Sequence, residues 1–542
     1  MIKDELVIHE YKAAAPLPWP EFRTSRAVAE DSMSSECVEL IKSWVRQCCD
    51  DHTNCKNSAT SSANSPKRLL DIGSDSSVST VKLINASGLQ HKYSALSYCW
   101  GNADILETTP DTLDRYSSDG IAISHLPKTF QDAIDISQKL DVQFIWIDSI
   151  CIVQGDKTEW EQECPKMGDI YGNAYLVIAA SLAQDGSCGC YVPRPRTHRI
   201  QFQNQHQSID VYVREKINHD VWKKDEPYWG ISELPLLGRA WAFQERLLAT
   251  RMIHYTSREL VWECRSCVSC ECGALEEQRA SWAAFPAKKN FKTRYAEVVT
   301  FGSDVERLNL WHTIGTEYTS RRITNSSDRL PALSAIAKQV DMPGILGNYL
   351  AGIWSCTLPG SLLWWSDTRE KACPDWQAVT HWRPSSRNAP TWSWLSVEGP
   401  VDTCGRNPVS EVQVLHISYT LATSDMYGQC CEASIIIAGQ FEPIEIHEKL
   451  QANGDVIHEV RSRDNKEVAV LIPDTHPLEI PSNELSKTIF VALKFSRGAP
   501  SWWNCLILRV WSNNSNVFQR VGIAELGNEW FHSSSMHRVA FI

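Results

Sequence analysis

Gln143-Phe-Ile-Trp-Ile-Asp148 is an apolar run that ends in a carboxylate, and segments with helical spacing lie on both sides of it. The segment before it, residues 129–140, places its apolar side chains on one helical face, and the segment after it begins near Asp156. Further apolar strands are predicted at residues 94–99 and 175–180. Strands and helices that alternate in this order form strand-helix-strand units. We therefore predict an α/β fold with a mostly parallel sheet and helices on both faces.

The sequence outside this sheet has a different character. Residues 1–88 contain a predicted amphipathic helix, a Ser/Asn-rich loop and short strands. The α/β domain is predicted to span residues 89–270. Residues 271–400 are typical of a mixed, partly helical region, and residues 401–542 contain short β-rich runs between polar turns. These four regions agree with the roughly two to four domains expected for a chain of 542 residues.

Composition and charge restrict the classes of function. Hydrophobic residues make up 43% of the chain and charged residues 22%, which is ordinary globular usage. The formal net charge of -12 disfavours a nucleic-acid partner, because a phosphate backbone is also negative. No uninterrupted apolar run reaches membrane-spanning length, and the mixed charges of residues 1–6 do not fit an export signal. We expect a cytoplasmic protein with no membrane span.

The 19 cysteines are expected to be reduced in that compartment. Four of them lie within nine residues and have spacing typical of zinc ligands: Cys264, Cys267, Cys270 and Cys272. Structural zinc sites usually draw two pairs of ligands from separated segments, so a distant pair would have to complete this one. The pairs considered are Cys49 with Cys55 and Cys188 with Cys190. Reduced, partly buried thiols are the simpler interpretation, and no metal or cofactor is predicted.

Three blocks of sequence, in order, resemble the fungal heterokaryon incompatibility (HET) domain. The first is Tyr93-Ser-Ala-Leu-Ser-Tyr-Cys-Trp-Gly101, the second extends from Leu126 to Ala174, and the third is Arg239-Ala-Trp-Ala-Phe-Gln-Glu-Arg-Leu-Leu248. Ala389-Pro-Thr-Trp-Ser-Trp394 also resembles a segment found downstream in such proteins. The resemblance implies a role in vegetative incompatibility, non-self recognition and programmed cell death. It also implies self-association or a protein partner from an incompatible strain.

Two loops of the predicted domain carry candidate site residues. They follow the strands that end near Ser97 and Asp148, and ligands of open α/β sheets bind beyond the carboxyl ends of strands. Asp148 is a catalytic candidate, and its alternative role is to accept hydrogen bonds from neighbouring backbone amides. The substrate-binding candidates are Ser97, Tyr98, Trp100 and Gly101. For the aromatic residues the alternative is a place in the core.

The HET domain is similar, more distantly, to TIR domains, some of which cleave NAD. Their catalytic glutamate follows a tryptophan by four residues on a helix, and Trp241 and Glu245 have this spacing. The resemblance implies a TIR-like or flavodoxin-like sheet, Glu245 as a catalytic residue, Trp241 in the substrate site and NAD as a substrate. Ala242 stands where the TIR motif usually has cysteine. The alternative makes Glu245 a surface residue or an ion-pair partner of Arg239 or Arg246.

The sequence leaves several functions open. The HET domain is either an NAD-consuming enzyme or a signalling module that assembles with copies of itself. A non-enzymatic recognition protein, with the β-rich region as the binding part, is a second hypothesis. An accessory protein of a fungal secondary-metabolite pathway is a third. Three common catalytic motifs are missing from the sequence: the phosphate-cradling G-x-x-x-x-G-K-[ST] loop, H-E-x-x-H and G-x-S-x-G. The chain therefore lacks the usual signatures of P-loop nucleotide hydrolases, metalloproteases and serine hydrolases.

Overall fold

The structure is a computed structural model. It describes residues 6–10, 24–56, 65–74, 78–101, 105–203, 208–223, 234–276, 290–342, 344–367, 381–384, 389–403, 410–452, 454–463, 466–498, 501–511, 516–531 and 535–542. Two compact units divide the chain, Met1–Phe301 and Gly302–Ile542. The finer division of the sequence into four regions stays a prediction.

The secondary structure of the first unit alternates between strands and short helices. Its strands are β1 Leu6–Glu10, β2 Thr24–Ser25, β3 Arg68–Asp71, β4 Thr80–Asn85, β5 Tyr93–Ser97, β6 Ile121–Ala122, β7 Phe144–Trp146, β8 Leu176–Ala179, β9 His198–Gln203, β10 Ser208–Glu215, β11 Arg251–Tyr255, β12 Leu260–Cys264 and β13 Val268–Cys270. Its helices are α1 Ser35–Asp51, α2 Leu113–Ser118, α3 Lys128–Lys139, α4 Asp148–Cys151, α5 Lys157–Glu163, α6 Met167–Asn173, α7 Asp220–Lys223, α8 Ala240–Leu248 and α9 Phe291–Phe301.

The main sheet of this unit has the strand order β13-β12-β11-β8-β5-β7-β3-β4-β6. Its centre is parallel, since β11 pairs with β8, β8 with β5 and β5 with β7 in the same direction. The pairs at both edges are antiparallel. Every residue of β5, β8 and β11 is buried, as expected for parallel strands covered by helices. The predicted α/β fold with a mostly parallel core is therefore confirmed, with antiparallel strands added at its edges.

Helices on this sheet form where the sequence predicts them. The apolar residues of α3 repeat at helical spacing, and seven residues of the helix, including Phe130 and Ile134, are buried. The Asp156 carboxylate caps α5 by accepting hydrogen bonds from the amides of Thr158 and Glu159. A separate four-stranded sheet has the order β2-β1-β10-β9. Its strands β9 and β10 were not predicted, although apolar residues stand at every second position in both of them.

The second unit is rich in β-structure after residue 401, as predicted. Its strands are β14 Tyr349–Leu350, β15 Ile353–Trp354, β16 Trp365–Ser366, β17 Val401–Asp402, β18 Gln413–Leu421, β19 Cys430–Leu450, β20 Val456–Ser462, β21 Val468–Pro473, β22 Phe490–Arg497, β23 Trp502–Val510, β24 Val517–Gly527 and β25 Ser535–Phe541. Its helices are α10 Asp304–Thr319, α11 Pro331–Val340 and α12 Ser482–Leu485. Strands β18 to β25 form one largely antiparallel sheet around an apolar core. Among the described residues of the chain, no helix has both the length and the apolar character needed to cross a membrane.

Candidate functional site

A buried carboxyl group lies at the carboxyl end of the central strand β5. The Ser97 hydroxyl, on the last residue of β5, donates a hydrogen bond to the Glu245 carboxylate on α8. Glu245 is 6% exposed and Ser97 is fully buried. The alternative of a surface position for Glu245 is therefore wrong. The fold brings together two residues that are 148 positions apart in sequence.

Burial raises the pKa of Glu245 to about 7, although the hydrogen bond from Ser97 lowers it. The negative charge of Asp148 raises the same pKa further, and the positive charge of Arg239 lowers it. A carboxyl group with this pKa exchanges its proton near neutral pH. Such a group can act both as an acid and as a base under cellular conditions.

Asp148 lies beside this glutamate at the end of β7, as the first residue of α4. Trp100 donates its indole Nε1–H to Asp148 Oδ2 at 2.8 Å, and the Ser149 amide donates to Asp148 Oδ1 at 2.7 Å. Asp148 therefore accepts a hydrogen bond from a backbone amide, as in its alternative role, and also one from the Trp100 side chain. Burial raises the pKa of Asp148, and the hydrogen bond from Trp100 opposes this effect.

Tyr98 and Arg239 connect the loops around the two carboxyl groups. The Tyr98 hydroxyl donates to Ser149 Oγ at 3.1 Å, and its ring meets Phe130 edge-on at a centroid distance of 5.1 Å. The guanidinium of Arg239 donates to the Tyr98 carbonyl oxygen at 2.7 Å. The sequence suggested Arg239, six positions before Glu245, only as an ion-pair partner of that glutamate and not as a member of the candidate site.

The remaining predicted site residues occupy the edge of this cluster. Gly101 has a φ of +66°, and a Cβ there would collide with Asp185, so glycine is required at this turn. Trp100 and Trp241 are partly exposed, and both pack against the core of the first unit. Trp146, in contrast, is buried against Tyr171. Its ring fills the core and offers no face to a ligand.

A cavity of about 430 Å³ adjoins the cluster on the side of Tyr98. It is lined by Tyr98, Ile105, Leu106, His125, Leu126, Pro127, Lys128, Phe130, Gly186 and Ser187. Glu245 and Asp148 do not line this cavity, and Tyr98 separates it from Ser149 and Asp148. The volume falls within the range of small-molecule sites, and the lining combines apolar side chains with a few polar ones.

The cysteine cluster near residue 270 is divided between two places in the structure. Cys264 lies with a group of ligand-type side chains from the N-terminal segment, and Cys270 and Cys272 lie with His219 and Glu259. Cys264 is therefore grouped apart from Cys270 and Cys272. Cys188 is exposed, and the amide of Cys190 donates to Asp132, so neither joins these groups.

Comparison with known proteins finds a similarity in the central part of the chain. Residues 93–245 match the family model described as Heterokaryon incompatibility protein (HET). The matched range begins at the first residue of β5 and ends at Glu245. No curated protein and no solved structure matches the chain.

Proposed function

The chain carries a HET domain at residues 93–245, and we propose that this domain is an NAD glycohydrolase with Glu245 as its catalytic carboxylate. One observation carries the proposal. Glu245 is a buried carboxyl group with a pKa of about 7, next to a hydroxyl and a second carboxyl group, at the strand ends where α/β sheets bind ligands. The spacing of Trp241 and Glu245 on α8 agrees with the resemblance to TIR domains.

The reaction is a hydrolysis. The bond between ribose C1′ and the nicotinamide nitrogen breaks, and the bonding electron pair leaves with nicotinamide, which becomes neutral. Positive charge then develops at C1′, and the Glu245 carboxylate stabilises it. Water adds to C1′ and releases one proton, so the products are ADP-ribose, nicotinamide and a proton. Ser97 fixes the orientation of the Glu245 carboxylate through its hydrogen bond.

The cavity beside Tyr98 is proposed to hold part of the dinucleotide. A Cβ added to Gly186 would meet only Pro127, at 3.5 Å, which is ordinary van der Waals contact. The substitution Gly186→Ala therefore narrows the cavity without a backbone clash. We expect it to raise KM for NAD and to leave kcat nearly unchanged, because it removes binding space away from Glu245. An unchanged KM would place the dinucleotide elsewhere.

The direct test incubates purified protein at high concentration with NAD and measures nicotinamide and ADP-ribose. Glu245→Gln keeps the shape of the side chain and removes its charge, so we expect kcat to fall about 100-fold or more. The matched control is Glu161→Gln on α5, where the carboxylate is exposed and paired with Lys157 at 3.7 Å. The control should keep full activity. Wild-type protein without turnover at any concentration, including self-associated forms, would contradict the proposal.

The biological consequence is proposed to be the cell-death reaction of incompatibility, caused by loss of NAD. We expect expression of the wild-type chain in a fungal host to lower cellular NAD and to stop growth. Expression of Glu245→Gln at the same level should do neither. Growth arrest by both proteins would instead favour a signalling module that acts by self-assembly or by binding a partner.

A further inference from the structure

Four side chains of the kinds that ligate metals meet in the first unit, and none of them belongs to the candidate site around Glu245. The ligand atoms of Cys48, His52, Cys55 and Cys264 all lie within 4.8 Å of one another. The three cysteines are fully buried, and His52 is partly buried. The group draws its members from two segments more than 200 residues apart in sequence, as closed structural zinc sites often do.

The local structure places the four side chains at two turns of the chain. Cys48 lies in the last turn of α1, and His52 is the residue that caps the end of this helix, one turn further along the chain. One 3-10 turn, Thr53–Cys55, then brings Cys55 to the same point. Cys264 is the last residue of β12, in a hairpin that leads to β13.

The distances within the group fit one tetrahedral zinc ion. His52 Nδ1 lies 3.4 Å from Cys264 Sγ. Zinc binds sulfur at about 2.3 Å and nitrogen at about 2.0–2.1 Å, so a sulfur and a nitrogen on one tetrahedral ion are separated by about 3.6 Å. The Ser266 amide also donates to Cys264 Sγ at 3.4 Å. Hydrogen bonds of this kind orient a metal-bound thiolate.

We propose that Cys48, His52, Cys55 and Cys264 bind one structural Zn²⁺. Three thiolates and one imidazole saturate the four positions of the ion and leave no open position for a substrate. The ion would fix the end of α1 to β12 at the edge of the main sheet. A hydrogen bond from Arg251 to the Cys55 carbonyl oxygen, at 3.0 Å, already links this turn to β11. This site replaces the expectation of reduced, metal-free thiols for Cys264.

The second group of ligand-type residues does not carry the same proposal. His219 Nε2 lies 2.5 Å from Glu259 Oε1, whereas two such ligands on one zinc ion are separated by about 3.3 Å. Glu259 also accepts a hydrogen bond from the Cys272 amide at 2.9 Å. A direct hydrogen bond between His219 and Glu259 therefore uses the atoms that a metal would need.

The test measures zinc in the full-length protein, purified in reducing buffer without chelators from cells grown with added zinc. Cys48→Ser and Cys264→Ser should each contain one equivalent of zinc less than wild type. Cys49→Ser changes the neighbouring, partly exposed cysteine of α1 and should keep the full zinc content. Equal zinc contents in wild type and both site variants would overturn the proposal.

X-ray absorption at the zinc edge of wild-type protein tests the ligand set without any variant. We expect a shell of three sulfurs at about 2.3 Å and one nitrogen at about 2.0 Å. Wild type without zinc, or a shell of oxygen and nitrogen only, would overturn the site. A shell of four sulfurs would overturn the assignment of His52 and indicate Cys267, whose Sγ lies 3.5 Å from that of Cys264. Zinc content is measured in the absence of NAD, so the result of this test does not depend on the proposed enzymatic activity.

Discussion

The ionisation of Glu245 couples its proposed chemistry to pH. Its carboxylate form is the one that stabilises positive charge at C1′, and its pKa is about 7. We expect kcat/KM for NAD to rise with pH through about 7 as one proton leaves. Ser97→Ala removes a hydrogen bond that lowers this pKa, so the rise should move to higher pH. Asp148→Asn removes a charge that raises the pKa, so the rise should move to lower pH.

Ser94→Ala is the matched control for Ser97→Ala. Ser94 is a buried serine of the same strand, and its hydroxyl bonds Ser137 at 2.6 Å. The pH profile of the Ser94 variant should coincide with that of wild type. Profiles that move in the same direction for the Ser97 and Asp148 variants would show that Glu245 does not set the pH dependence.

Glu245 also makes the free energy of unfolding depend on pH, and its raised pKa determines the direction of that dependence. A glutamate exposed in the unfolded chain has a pKa of about 4.5, and Glu245 in the folded protein has a pKa of about 7, so the unfolded chain loses this proton first. The free energy of unfolding therefore falls as pH rises from about 4.5 to about 7. Glutamine does not ionise, so the Glu245→Gln variant does not lose stability in this way. It should be more stable than wild type above pH 7, by roughly 3 kcal/mol at most.

Urea denaturation at several pH values measures this effect. The difference between Glu245→Gln and wild type should shrink toward zero as pH falls to about 4.5. A substitution that stabilises the fold and removes activity is characteristic of a site residue held in an unfavourable environment. If Glu245→Gln is less stable than wild type at every pH, the carboxylate serves the fold and not the chemistry.

At the scale of elements, the position of α8 depends on a buried ion pair with β12. Arg246 donates to both oxygens of Glu263, at 2.7 and 2.8 Å, and His254 Nε2 lies 3.0 Å from the same carboxylate. Burial alone would raise the pKa of Glu263, but Arg246 and His254 outweigh it and hold the pKa well below its usual range. The stability that Glu263 contributes is present above about pH 4.5 and is lost as pH falls further.

Glu263→Gln should lower the free energy of unfolding at pH 7 by about 3–5 kcal/mol, because it removes the carboxylate that accepts two hydrogen bonds from the Arg246 guanidinium. The double variant Arg246→Met with Glu263→Met should be less destabilised than Glu263→Gln, since the guanidinium that faces Glu263 is removed together with the carboxylate. Thermal or urea unfolding of the three proteins at pH 7 measures both differences. A double variant less stable than the single one would contradict this account of the pair.

Periodicity predicted most elements around the site and could not predict how they pair. The strands β5, β7 and β8 and the helix α3 lie where the apolar pattern places them. The antiparallel insertion of β3 beside β7 was not predicted, because an apolar run does not encode the direction of its neighbour. Strands β9 and β10 carry alternating apolar residues, Ile200 and Phe202 in the first and Ile209, Val211 and Val213 in the second, but the polar residues around them led to the interpretation of an irregular segment.

The same limit applies to the candidate site residues, because the sequence suggests the residues but not which of them meet in the fold. Ser97, Asp148 and Glu245 were predicted as site residues from their motifs, and their proximity is a finding of the structure. The partners of Cys264 could not be selected from the sequence. The sequence suggested Cys49 with Cys55, whereas the end of α1 places Cys48 and His52 close to Cys264. Which residues lie close enough to Cys264 to share a metal ion depends on which face of α1 packs against the sheet.

At the scale of the whole molecule, the boundary of the first unit extends beyond the matched HET segment. Helix α9, Phe291–Phe301, packs on α8, with the Phe243 and Phe291 rings stacked at a centroid distance of 6.0 Å. Lys292 is buried, and its Nζ donates to the Arg246 carbonyl oxygen at 2.5 Å. The helix that carries Glu245 therefore needs residues about 45 positions downstream to be covered.

Two truncated proteins test this boundary. Residues 1–301 keep α9 and should fold cooperatively, bind zinc and retain NAD cleavage, because the unit has its own apolar core. Residues 1–275 include the whole HET segment and lack α9, so the apolar face of α8 and Phe243 become exposed to solvent. We expect this shorter protein to have a lower Tm and a higher KM or lower kcat for NAD. Equal Tm and activity of the two fragments would show that α9 contributes nothing to the position of Glu245.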